Sequence, residues 1–128
     1  MTSYKTPLAR VRRLGSAKTG TGHWWLQRVT AAALVPLTYF ILKLFDLCLN
    51  ASYQDTIVWI AASTYNSVGL TAWIIVAFYH AAMGLQVVIE DYVSGEGRKI
   101  IFVWLVNFTF LLLGLTALMA IFRIITIG

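Results

Sequence analysis

Three apolar runs dominate the chain, from about Trp25 to Leu49, from Val68 to Ile89 and from Ile100 to Phe122, with polar stretches between them. A helix needs about 20 apolar residues to cross a hydrocarbon core of roughly 30 Å, and each run reaches that length. An open sheet would leave backbone N–H and C=O groups unsatisfied in lipid, so the runs read as helices. The pattern predicts an all-α fold in one membrane domain, 1–128, with an N-terminal tail at 1–23 and three transmembrane helices at about 25–49, 68–92 and 100–125. Pro36 sits within the first span and removes one backbone donor, which predicts a modest kink. TIVWIAA (Thr56–Ala62) either lies along the outer surface or extends the second span. SGEGRK, with two glycines, is a connection short enough to make the second and third spans antiparallel neighbours.

Composition supports a membrane location and adds an orientation. The 128 residues are 59% hydrophobic and only 12% charged, with a mean hydropathy of +0.77, far from the balance of a soluble domain. The net charge of +5 follows the membrane, and gives no sign of a nucleic-acid surface. Lys5, Arg10, Arg12, Arg13 and Lys18 crowd the tail, and no acid precedes Asp46. The connection between the first two spans has no Lys or Arg, while Arg98 and Lys99 lie between the last two. The positive-inside rule then puts the N-terminus and the second loop on the cytoplasmic (or matrix) side, and the C-terminus outside. Arg123, at the outer end of the third span, snorkels to the headgroups as the one exception. The tail is basic and acid-free like a transit peptide, but it has two glycines before Thr21 and leads straight into a Trp-rich approach to the membrane, so it reads as retained. Cys48 is alone, which excludes an intrachain disulfide and an iron–sulfur cluster motif.

The candidate chemistry lies in FYHAAMGLQVVIEDYV, Phe78–Val93. An ionisable side chain inside a bilayer is costly, so His80 is either functional or a neutral imidazole bonded to a neighbouring helix. His80 and Asp91 are 11 positions apart, which at about 100° per residue returns to within about 20° of the same face. At about 1.5 Å per residue, His80 lies roughly 16 Å below Asp91, near the midplane. Gly84 and Ala77 lie near its face, and their small side chains admit either a flat ligand such as haem or another helix. His23 enters on the cytoplasmic side, far above His80, so a bis-histidine iron would take its second ligand from another chain. Asp91 and Tyr92 mark the interface, either as ordinary helix-end residues or as donors and charges for a quinone head. Arg28, near the start of the first span, is either a snorkelling anchor or part of a polar site with Gln27 and Thr30. Lys43 and Asp46, three apart on one helix face, read as a structural pair.

HAAMGLQVVIEDYV resembles the signature of the small hydrophobic membrane-anchor subunits of succinate dehydrogenase, with His80, Gly84, Asp91 and Tyr92 at the family's spacing. GSAKTGTGHWWLQRVTA (Gly15–Ala31) is similar to the opening segment of bacterial members related to the mitochondrial lineage. The resemblance spans both motifs and the three-span layout. It implies a place in a heteromeric transmembrane helix bundle, in the bacterial inner membrane rather than the mitochondrial one. It also implies an anchor for the flavoprotein and iron–sulfur subunits, which has no activity in isolation. His80 would be an axial ligand of a haem b shared with a larger cytochrome b subunit. Tyr92 and Asp91 would serve a ubiquinone site, and Arg28 and His23 would neighbour the haem propionates or the quinone pocket. A small proton- or ion-coupled transporter using His80, Glu90 and Asp91 is the alternative from another class, and a haem-free structural anchor of another respiratory complex is a third.

Overall fold

A computed structural model of the chain describes residues 17–127. The basic residues Lys5, Arg10, Arg12 and Arg13, and the first two residues of the Gly15–Ala31 segment, lie outside the described residues. The described residues form four helices and no strand: α1 (Ala17–Asn50), α2 (Tyr53–Ala62), α3 (Thr64–Tyr92) and α4 (Glu96–Ile127). The three long ones are apolar and long enough to span a membrane. α1 passes through Pro36 without interruption and begins at Ala17, six residues before His23.

TIVWIAA belongs to a separate short helix and does not extend the second span. Ser52 caps α2 at its start: the Asp55 N–H donates to Ser52 Oγ (3.1 Å), and Asp55 sits in the first turn where the helix dipole favours an acid. The chain breaks at Ser63, which is extended. Polar side chains of α3 then fold back on the end of α2. Asn66 Nδ2 donates to the Trp59 carbonyl (2.8 Å), and Ser67 Oγ to the Ile60 carbonyl (2.7 Å). These are carbonyls that a terminating helix leaves without internal partners.

At the other end of α3, Gly95 takes φ +93°, a conformation that glycine adopts without a Cβ penalty. This reverses the chain between α3 and α4, which pack side by side as the short SGEGRK connection predicts.

α3 is central, packing against α1 on one side and α4 on the other, while α1 and α4 make no direct packing contact among the described residues. The three long helices thus form an open row. The main buried cluster lies in the half nearer α2, where Ile60, Leu70, Ile74 and Ile121 are buried and Phe40, Trp59, Trp73 and Phe78 close over them. Leu70 is only 1% exposed. Its neighbour Gly69 lets the Phe40 ring lie flat against α3: a Cβ built there would meet three ring atoms at 2.5 Å. Gly69→Ala is therefore expected to force Phe40 off its position and cost about 1–3 kcal/mol, the usual penalty of overpacking. Thermal unfolding in detergent checks this, with Phe40→Leu expected to recover part of the loss. An unchanged melting temperature for Gly69→Ala would contradict the contact.

Candidate functional site

Towards the opposite end the helices leave room. Between α1 and α3 lies a cleft of about 740 Å³, lined by His23, Trp24, Gln27, Arg28, His80, Met83, Gln86 and Glu90 among others. Its volume is within the roughly 300–1,000 Å³ range of ligand and cofactor sites.

At the foot of the cleft, His80 Nδ1 is 2.8 Å from Thr30 Oγ1. Thr30 is only 9% exposed, and its hydroxyl also donates to the Leu26 carbonyl at 2.6 Å, the usual back-bond of a helical threonine. This bond sets the register of the two helices. Ala17 and Tyr92, the cytoplasmic ends of α1 and α3 in the orientation inferred above, lie about 20 Å and about 18 Å along the axes from the Thr30–His80 level. His23 is seven residues from Thr30, roughly 10 Å further out. The two histidines share the cleft but sit at different depths, which argues against one ion taking both.

The same register relocates Arg28. The sequence places it near the first turn of its span. With α1 starting at Ala17 it lies three turns in, within about 3 Å of the depth of His80. Its guanidinium turns back towards the helix start and rests over the Trp24 ring, 4.5 Å from the centroid. Side chains lean this way on helices, and such a contact contributes about 0.5–2 kcal/mol depending on solvation. Arg28 is exposed along the cleft and its charge reaches outward, yet no acid pairs with it among the described residues. Gln27 packs against Gly84, where an added Cβ would meet its Nε2 at 3.4 Å, an ordinary contact. The buried Gln27 Oε1 has no hydrogen-bond partner. Gln86 Nε2 donates to Glu90 Oε1 (2.9 Å), and both line the upper cleft.

His80, Arg28 and His23 are therefore brought together, and Thr30, Gln86 and Glu90 join them. Asp91 and Tyr92 do not line the cleft; they lie exposed at the end of α3, Tyr92 at 85%. Helical phase explains the division. At about 100° per residue, Val87, Met83, Glu90 and Gln86 fall roughly 20°, 60°, 80° and 120° to one side of His80, whereas Asp91 and Tyr92 fall about 20° and 120° to the other. Lys43 and Asp46 form the expected structural pair at 3.1 Å, remote from the cleft.

A family model described as the succinate dehydrogenase/fumarate reductase transmembrane subunit matches residues 2–115. The chain is 38% identical over 91 residues to a succinate dehydrogenase hydrophobic membrane anchor subunit of Rickettsia bellii, covering 71% of this chain and 72% of the relative. It is 33% identical over 94 residues to a succinate dehydrogenase membrane anchor subunit of Reclinomonas americana, covering 70% and 77%. A hydrophobic membrane anchor subunit of the same enzyme from Paracoccus denitrificans is 29% identical over 105 residues, covering 82% and 81%. No solved structure matches the chain.

Proposed function

This chain belongs to the succinate dehydrogenase/fumarate reductase transmembrane subunit family, as a membrane-anchor subunit of succinate dehydrogenase, and we propose that it supplies one side of a haem b site and part of a ubiquinone-reduction site. The observation that supports the haem reading is one cleft holding an imidazole at its foot and, further out over Trp24, a guanidinium with no acidic partner among the described residues. A free cation at bilayer depth is expensive. An anionic ligand or partner group relieves that cost, and haem propionates are such anions.

The residues fit the group as half of a site. His80 offers one nitrogen for iron, while its other nitrogen is engaged by Thr30. Arg28 and, further out, His23 offer positive or hydrogen-bonding groups for propionates. No cluster of three or more His, Cys, Asp or Glu among the described residues provides a rival metal site. A bound haem b would supply a one-electron carrier beside the quinone. A larger cytochrome b subunit would supply the rest of the site and close the open row of helices.

Tyr92 and Asp91 stand where a ubiquinone head in the bilayer would meet the soluble partners. Tyr92 offers an O–H to a quinone carbonyl, and Asp91 orients a neighbouring cation on a partner. The flavoprotein and iron–sulfur subunits dock on the side carrying the tail and Arg98 and Lys99 in the first turn of α4, in the cytoplasm of a bacterium whose inner membrane holds the chain. Purification of the assembled complex from native membranes tests this: flavin- and cluster-containing subunits should co-elute with a low-spin haem b spectrum. Co-elution without haem would remove the haem reading and leave the anchor.

A further inference from the structure

We propose that Thr30 is the positioning residue of His80, fixing which imidazole nitrogen carries the proton and so leaving Nε2 as the free lone-pair donor. The proposal rests on the reading of His80 as a haem ligand.

Thr30 has one hydroxyl proton and three near neighbours: the Leu26 carbonyl at 2.6 Å, the Gln27 carbonyl at 3.1 Å and His80 Nδ1 at 2.8 Å. Two oxygens at 2.6 Å with no proton between them would repel, so the proton goes to Leu26, with Gln27 a longer second acceptor. The oxygen then has only lone pairs to offer the imidazole. Contact at 2.8 Å therefore requires Nδ1–H to donate, and in the neutral ring this strips Nε2 of its proton. The chain His80 Nδ1–H to Thr30 Oγ1–H to Leu26 C=O ends on a carbonyl that also belongs to the α1 backbone. The β-branch restricts the side chain of Thr30, and its burial keeps water from competing. Metal-bound histidines are commonly held in this way, with the outer partner orienting the ring and raising its basicity.

The assembled complex, with its partner subunits, provides the test. Thr30→Val keeps the shape and removes the acceptor, while Thr30→Ser keeps the acceptor. Haem transfer from the Thr30→Val complex to an apoglobin should accelerate about 10- to 100-fold, the usual cost of losing such an outer partner. The haem reduction potential should rise as the imidazole becomes a weaker donor, and Thr30→Ser should restore most of both. Unchanged transfer rate and potential in Thr30→Val would overturn the proposal. If that variant fails to assemble, Thr30→Ala carries the same expectation. His80→Ala separates the two levels: haem lost there but unaffected by Thr30→Val overturns the role of Thr30 alone, whereas haem retained in His80→Ala overturns the ligand reading and this proposal with it.

Discussion

Replacing His80 with alanine is expected to abolish the low-spin haem b spectrum of the assembled complex while leaving its flavin and iron–sulfur content in place. The expected loss is more than about tenfold in haem per flavin, since losing even an outer partner of a metal-bound histidine typically costs 10- to 100-fold. Stability should suffer less than ligation does. His80 is half-buried at the edge of an open cleft, and the packed core around Leu70 and Ile74 lies two to three turns away. The substitution does strand the Thr30 hydroxyl as an acceptor, but that group keeps its bond to the Leu26 carbonyl. Optical and low-temperature ferric spectra of the purified complex, normalised to flavin, measure the effect. A His80→Ala complex with a normal bis-histidine spectrum would show that the ligand lies elsewhere. The imidazole would then be what a polar side chain in a membrane helix often is, a hydrogen-bonding contact between helices.

The three spans were legible because hydropathy accumulates over about 20 residues and tolerates errors at either end. Two boundaries were harder. The sequence reads residues 1–23 as tail, and glycines such as Gly20, worth about 1 kcal/mol against a helix, agree with that reading. Yet α1 begins at Ala17, because continuing the helix keeps its backbone groups paired near the bilayer. That extension carried Arg28 from the rim to the depth of His80, which spacing along one helix cannot reveal. The break at Ser63 was hidden for a related reason. It depends on Asn66 and Ser67 reaching carbonyls seven residues back, not on a Pro or Gly that punctuates the sequence.

The site divides in the same way. His80 stood out because an imidazole within an apolar run has a cost that any reader can count. Its partner Thr30 lies 50 residues away and looks like any helical threonine until α1 and α3 are packed together. Gln86 and Glu90 carried a weaker signal: they are polar and lie within about 120° of one side of His80. The 11-residue spacing puts Asp91 within about 20° of the direction of His80, but the cleft opens to the other side of that line and Asp91 does not line it. Tyr92, one residue further, therefore points away from the cleft.

That division makes the Tyr92→Phe variant informative, because the hydroxyl can be removed without touching the cleft between α1 and α3. Succinate–ubiquinone reductase activity is expected to fall about tenfold or more, with succinate oxidation by an artificial acceptor and the haem spectrum both unchanged. A neutral hydrogen bond contributes about 0.5–1.5 kcal/mol, or roughly 2- to 10-fold in quinone affinity alone. A hydroxyl that also supports charge or proton transfer at the quinone carbonyl adds to this, since positioned donors are worth about 10²- to 10⁴-fold in favourable sites. The phenylalanine ring preserves the aromatic body at the membrane interface, so anchoring by itself should survive. Tyr92 is 85% exposed in the isolated chain, so an effect of its hydroxyl on the assembled complex would arise against partner subunits or a quinone bound between them. Steady-state kinetics over a range of short-chain ubiquinones separate the cases. A rise in KM alone assigns the hydroxyl to binding, and a fall in kcat assigns it to the reduction step. Wild-type values for both would return Tyr92 to an ordinary interfacial tyrosine.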